Sequence, residues 1–192
     1  METRAPLSQA DKRALLAKLM KSGAAPFPLS YGQQSLWFMD RVRKEASVAY
    51  NMPFAWTVHG ETDPEALRGA FAWLVARHPI FRTTYGHVKG TPVQRVAPQG
   101  ELDFRVVALA PEEDLAALLG AEAARPFDLE RGPVLRVVLV RRPAAAPVLL
   151  WVTHHIAIDG WSLFTLLEEL GQAPPCRGPR SEPRRPTSRC SP

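Results

Sequence analysis

His154 and His155 stand side by side in VTHHIAIDGWS, residues 152–162, with Asp159 and Gly160 a few positions on. An imidazole has an ordinary pKa of about 6.5 and can take up a proton at neutral pH. A nearby carboxylate can orient it or hold a loop, and both groups bind zinc or iron. A shared metal ion fits poorly, because neighbours on a strand point to opposite faces and His59, His78 and His87 are scattered. No metal site is therefore expected. Ser162 reads as a helix cap rather than a nucleophile. The plain structural alternative buries one histidine, leaves the other in water and makes Asp159-Gly160 a turn. What favours chemistry is the setting, since an apolar run precedes the pair, a leucine-rich segment follows, and sites are built at strand ends in layered α/β folds.

The elements that would position this loop can be read from periodicity. VLRVVLVRR and PVLLWVTHH read as neighbouring buried strands. Residues 50–59 alternate Met52, Phe54, Trp56 and Val58 to one face, as a strand does. Asp63 caps a helix with Pro64 in its first position, and Leu67, Ala70, Phe71, Leu74 and Val75 recur at helical spacing. TPVQRV and LDFRVVAL are further strands, and PEEDLAALLGAEAA is a helix with Pro111 and three acids in its first turn. Leu36, Trp37 and Met39 of YGQQSLWFMDRV are expected to pack on the core. A last helix from about Ser162 carries Leu163, Phe164, Leu166, Leu167 and Leu170 as its buried side. The fold class is α/β, layered.

The chain has 192 residues and a formal net charge of +5. That charge sits in the segment after Gln172, which holds Arg177, Arg180, Arg184, Arg185 and Arg189 against Glu182 alone. Without it 19 basic residues face 18 acidic ones. A folded nucleic-acid face is thus not expected. Cys176 and Cys190 lie in the same segment, which leaves the folded part without a disulfide framework or a thiol nucleophile and suits a reducing cytoplasm. No apolar run is long enough to span a bilayer as a helix. Three regions result: a leader helix and linker over 1–25, a folded lobe over 26–171, and a Pro/Arg-rich tail over 172–192 expected to be disordered. The change of composition at Gln172 reads as a natural tail or as translation out of frame.

HHIAIDGWS resembles the HHxxxDG motif of the condensation domains of nonribosomal peptide synthetases, within the chloramphenicol acetyltransferase-like superfamily. PLSYGQQSLWFMDRV resembles the family's first motif, ARHPIFRTTY its RHxxLRTxF motif, and RPFDLERGPVLRV the segment leading into the central strands. The resemblance implies a mixed sheet flanked by helices, forming the N-terminal lobe of a two-lobed domain. It implies amide formation between a carrier-bound acyl or peptidyl thioester and an aminoacyl acceptor. By resemblance His155 faces the tunnel where two pantetheine arms meet, as a base, as a positioner of the amine, or as a donor to the oxyanion. Asp159 is implied to pair with an arginine of the second motif, Arg82 in preference to Arg77. Gly160 is implied to allow a tight turn and close approach of substrate, while His154 and Trp161 are scaffold.

The partners so implied are donor and acceptor carrier domains and the missing C-terminal lobe, with no nucleic acid and no membrane. No cofactor is bound directly, phosphopantetheine being carried by the partner carriers. A lobe by itself is expected to be inactive. Two other functions fit the residues: a stand-alone acyltransferase using CoA thioesters, and a noncatalytic module that docks carriers.

Overall fold

The structure is a computed structural model that describes residues 26–43 and 47–174. The leader helix expected over 8–22 and the tail beyond Pro174 lie outside the described residues. In chain order the elements are β1 (Phe27–Pro28), α1 (Tyr31–Val42), β2 (Asn51–Thr57), α2 (Pro64–Arg77), β3 (Thr83–Val88) and β4 (Thr91–Val96). They continue with β5 (Asp103–Ala108), α3 (Leu115–Ala124), β6 (Leu135–Arg142), β7 (Ala145–His154) and α4 (Gly160–Gln172). Single 3-10 turns at Val48–Tyr50 and Pro79–Arg82 lead into β2 and β3.

A four-stranded sheet in the order β2-β7-β6-β5 forms the centre, and a three-stranded sheet β1-β4-β3 stands beside it. The β5–β6 pair is parallel, with α3 as its crossover, and the other pairs of the large sheet are antiparallel. Helices cover both faces. Leu135, Val137, Leu139, Leu149 and Trp151 meet Phe71 and Leu74 of α2 and Leu163, Leu166 and Leu170 of α4. The alternate residues Val138, Val140, Val148, Leu150 and Val152 meet Leu115, Leu118 and Leu119 of α3. Burial on two sides explains why β6 and β7 are apolar almost without interruption, as their sequences suggested. Leu29, Tyr85, Leu129, Val134 and Ile156 form a third cluster that ties the small sheet to the end of β7. None of the described helices is long and apolar enough to cross a membrane.

Several expectations about faces and ends are corrected. Met39 and Phe164 point away from the core, 37% and 64% exposed, although their neighbours Leu36, Trp37, Leu163 and Leu166 face inward. The α3 helix begins at Leu115, later than expected, because the Asp114 carboxylate accepts the Ala116 amide and becomes the cap. Pro111 and two of the acids therefore form the preceding turn. The α4 helix starts at Gly160, two residues earlier than expected, and runs through Gln172 to a fully buried Ala173.

The far end of α3 is held by side chains from the large sheet. Asn51 donates to the carbonyls of Ala123 and Arg125, and the buried Arg136 donates to the Arg125 carbonyl with its guanidinium 3.9 Å over the Phe127 ring. These donors meet carbonyls that the helix end leaves without partners, and a cation suits the negative end of the helix dipole.

Gly100 marks the tightest approach in the lobe, since a Cβ built there would lie 2.6 Å from Val75 Cγ1 and 2.9 Å from Arg82 Cβ. Gly100→Ala is expected to lower stability by about 1–3 kcal/mol through overpacking, measured by urea unfolding. An unchanged midpoint would show that the segment yields freely.

Candidate active site

β7 delivers the two histidines, and the strand's alternation separates them. His154, the last strand residue, is fully buried, whereas His155 is exposed. This is the opposite-face arrangement expected of neighbours on a strand. The chain then turns sharply. The Ala157 amide donates to the His154 carbonyl at 2.9 Å, the Ile156 amide donates to His154 Nδ1 at 3.1 Å, and His155 Nδ1 lies 2.8 Å from the Ile158 carbonyl.

These contacts decide where each imidazole proton sits. A carbonyl only accepts, so His155 carries its proton on Nδ1 and leaves the lone pair of Nε2 outward. An amide only donates, so His154 Nδ1 is bare, and its proton sits on Nε2, 3.3 Å from Ser47 Oγ. The adjacent histidines are therefore opposite tautomers. Burial, with a smaller contribution from the neighbouring His155, pulls the His154 pKa down to about 4.

That shift has a definite sign in stability. An unfolded histidine takes a proton near pH 6.5, whereas folded His154 does so only near pH 4. Between these values the unfolded chain binds more protons, so stability is lost as pH falls through this window. Acidification from pH 7 to 4.5 is expected to remove about 2–3 kcal/mol through this residue. Urea unfolding of wild type and His154→Gln at both pH values measures it, and an identical pH dependence in the two proteins would assign the loss elsewhere.

Asp159 is not paired with Arg82. Its exposed carboxylate caps α4, accepting from the Ser162 amide at 2.8 Å and the Ser162 hydroxyl at 2.6 Å. These bonds hold its carboxyl below the usual aspartate range. The cap is thus Asp159 and not Ser162, whose hydroxyl is a donor to it. Arg82 instead donates to the Ala97 carbonyl and lines a cavity of about 170 Å³ with Thr83, Gly100 and Arg131. Arg77 is the second-motif arginine that reaches the motif helix, 3.0 Å from Glu169, and His78 Nε2 lies 2.5 Å from the same carboxylate.

Gly160 has no left-handed φ, and a Cβ there would meet no atom within 4 Å. The turn itself does not demand glycine. Trp161, expected as scaffold, is 84% exposed and touches Phe164 edge to face at 6.2 Å between ring centroids. Sequence reasoning missed Ser47, Tyr50 and Glu169, which contact His154, His155 and the Arg77-His78 pair. Spacing offered no signal for the first two, since Ser47 lies 107 residues from the ring it meets.

A profile of the family described as Condensation domain matches residues 24–173. One of the linear gramicidin synthase proteins of Brevibacillus parabrevis is 37% identical over 166 residues, covering 83% of this chain and 2% of the relative. A probable non-canonical nonribosomal peptide synthetase, CymA of Salinispora arenicola, is 40% identical over 146 residues, covering 76% of this chain and 2% of that protein. The fold is similar to the starter condensation domain of rhizomide synthetase RzmA, with TM-score 0.69, 19% identity, and coverage of 77% of this chain and 38% of that one. The condensation domain of the Monacolin K polyketide synthase MokA gives TM-score 0.69 and 22% identity, over 77% of this chain and 34% of that one. This chain thus spans a small part of the curated relatives and about a third of the solved domains. The match over residues 24–173, the identities near 40% and the shared fold together place the chain in the condensation domain family.

Proposed function

We propose that this lobe carries the histidine wall of a site that joins an acyl or peptidyl thioester to an amine. His155 is its working residue, and a second lobe completes the tunnel. In this reaction the amine nitrogen attacks the thioester carbonyl carbon, a C–N bond forms, the C–S bond breaks, and the thiol leaves as the nitrogen sheds a proton. Donor and acceptor are held by phosphopantetheine arms of carrier domains, so the lobe itself needs no bound cofactor. The setting is the cytoplasm.

The observation that carries this reading is the 2.8 Å contact between His155 Nδ1 and the Ile158 carbonyl. With Nδ1–H committed to the Ile158 carbonyl, Nε2 presents a lone pair on the exposed face. That lone pair suits accepting a hydrogen bond, and then the proton, from an attacking amine. It suits the donor role toward an oxyanion less well, because a neutral ring of this tautomer has no proton on Nε2. An α-amino group titrates at about 7.7–8.0, so a share of it is already neutral at cellular pH and positioning alone assists it. Asp159, four residues after His155, contributes by capping α4 and so starting it at a fixed place.

The test joins this lobe to the second lobe of a related condensation domain, with folding checked by circular dichroism. It supplies an acyl-loaded donor carrier and an aminoacyl-loaded acceptor carrier. Mass spectrometry is expected to find the amide on the acceptor carrier with the joined lobes and not with this lobe alone. Amide from the lobe alone would overturn the need for a second wall. Product from a CoA thioester with no donor carrier would favour a stand-alone acyltransferase, and carrier binding without product a docking module.

A further inference from the structure

We propose that Ser47 is a positioning residue for His155, acting through His154 and the turn that follows it. The inference rests on the reading of His155 as the acceptor.

Residues 47–51 belong to none of the motifs that mark this family, yet they grip the histidine pair at several points. Ser47 is 1% exposed, and its hydroxyl oxygen is the acceptor for His154 Nε2–H at 3.3 Å. The Tyr50 carbonyl accepts the His155 amide at 2.9 Å, and the Tyr50 ring lies 6.3 Å from that of His154. Asn51 stands opposite His154 in the β2–β7 register and is itself anchored to the end of α3.

The hydroxyl matters because it is the acceptor for the proton that the Ile156 amide forces onto Nε2. Buried polar groups need partners, and the Nε2–H form of His154 satisfies both ring nitrogens at once, with Ser47 at one and the Ile156 amide at the other. The Nδ1–H form would set two donors, the ring N–H and the Ile156 N–H, against each other, so the Ile156 amide selects the tautomer and the Ser47 hydroxyl, able to donate or accept, matches it. The Ile156 bond is one of the two ties that close the turn on His154, the Ala157 amide being the other. That turn brings the Ile158 carbonyl to His155 Nδ1. The Ile156 amide thus sets the proton on His154, Ser47 holds the ring that carries it, His154 holds the turn, and the turn fixes which nitrogen of His155 faces outward.

The test is long-range 1H–15N NMR of the imidazoles in the full 192-residue chain at pH 7.5, with hydrogen exchange of the Ile156 amide. Wild type is expected to show His154 protonated on Nε2 alone and His155 on Nδ1 alone. In Ser47→Ala the buried Nε2–H of His154 loses its acceptor, so the ring loosens, Ile156 exchange is expected to rise about tenfold or more, and His155 becomes a tautomer mixture. Ser47→Thr and Ser47→Val, alike in shape, isolate the oxygen if the alanine variant fails to fold. Threonine is expected to keep the wild-type signature and valine to lose it. Wild-type His154 protonated on Nδ1, or an unchanged His155 tautomer and unchanged Ile156 exchange in the variants lacking the hydroxyl, would overturn the proposal. Amide formation does not enter these spectra, so a failure of this proposal and a failure of the functional reading are seen separately.

Discussion

Replacing His155 by alanine is expected to lower amide formation by the joined lobes about 10²–10⁴-fold, the range for loss of a positioned acid–base group. The unfolding free energy should stay within about 1 kcal/mol of wild type, because the ring is exposed and its one described hydrogen bond is local. His155→Asn separates function from support. Its side-chain amide can donate to the Ile158 carbonyl as Nδ1–H does, but it has nothing at the place of Nε2. The asparagine variant is therefore expected to be as inactive as alanine. Activity close to wild type in asparagine would mean that His155 merely ties the turn. Rates from single-turnover transfer between loaded carriers, read beside urea unfolding of the same proteins, decide the matter.

The sequence made the site's centre legible because two local rules suffice there. Strand alternation puts His154 and His155 on opposite faces, and an apolar run ending at a turn puts the second histidine at the edge of a layered core. The buried pair β6 and β7 and the Asp63-capped α2 were readable for similar reasons, since each needs only its own residues and a sheet or core to lie against. Long-range pairing was not readable. Asp159 had a nearer partner, its own helix start, and a carboxylate that can cap the following amides satisfies itself without an arginine. Arg77 found Glu169 across 92 residues, a contact that depends on how α2 and α4 cross and not on either sequence alone.

The misplaced faces have one cause. A hydrophobic period marks a stripe on a helix, but its width depends on what covers the helix. On α4 the stripe that meets the sheet is Leu163, Leu166 and Leu170, while Phe164 and Trp161 fall outside it and lie open. The latch from Ser47 to His154 was invisible for a different reason: serine is common in loops, and only the fold brings this one against a buried ring.

The largest stability effect is expected at Trp151. Its side chain is fully buried in the main core, between β7 and the two helices on that face. Its ring meets the Phe71 ring edge to face at 5.3 Å and 83°, and the rings of Phe81 and Trp56 each lie 6.5 Å away. Trp151→Ala is expected to cost about 3–5 kcal/mol, lost burial plus an unfilled cavity, which is a large share of the roughly 5–15 kcal/mol that holds a domain folded. Trp151→Phe should cost well under half as much. It keeps an aromatic ring against Phe71, and it removes the indole N–H, which is buried with no hydrogen-bond partner among the described residues. Urea unfolding of the three proteins at pH 7 tests this. Equal losses in the alanine and phenylalanine variants would mean that the volume of the indole, and not its aromatic contacts, sustains this core. Because Trp151 stands three residues before His154 on the strand that α4 packs against, a core loosened there is also expected to speed Ile156 amide exchange.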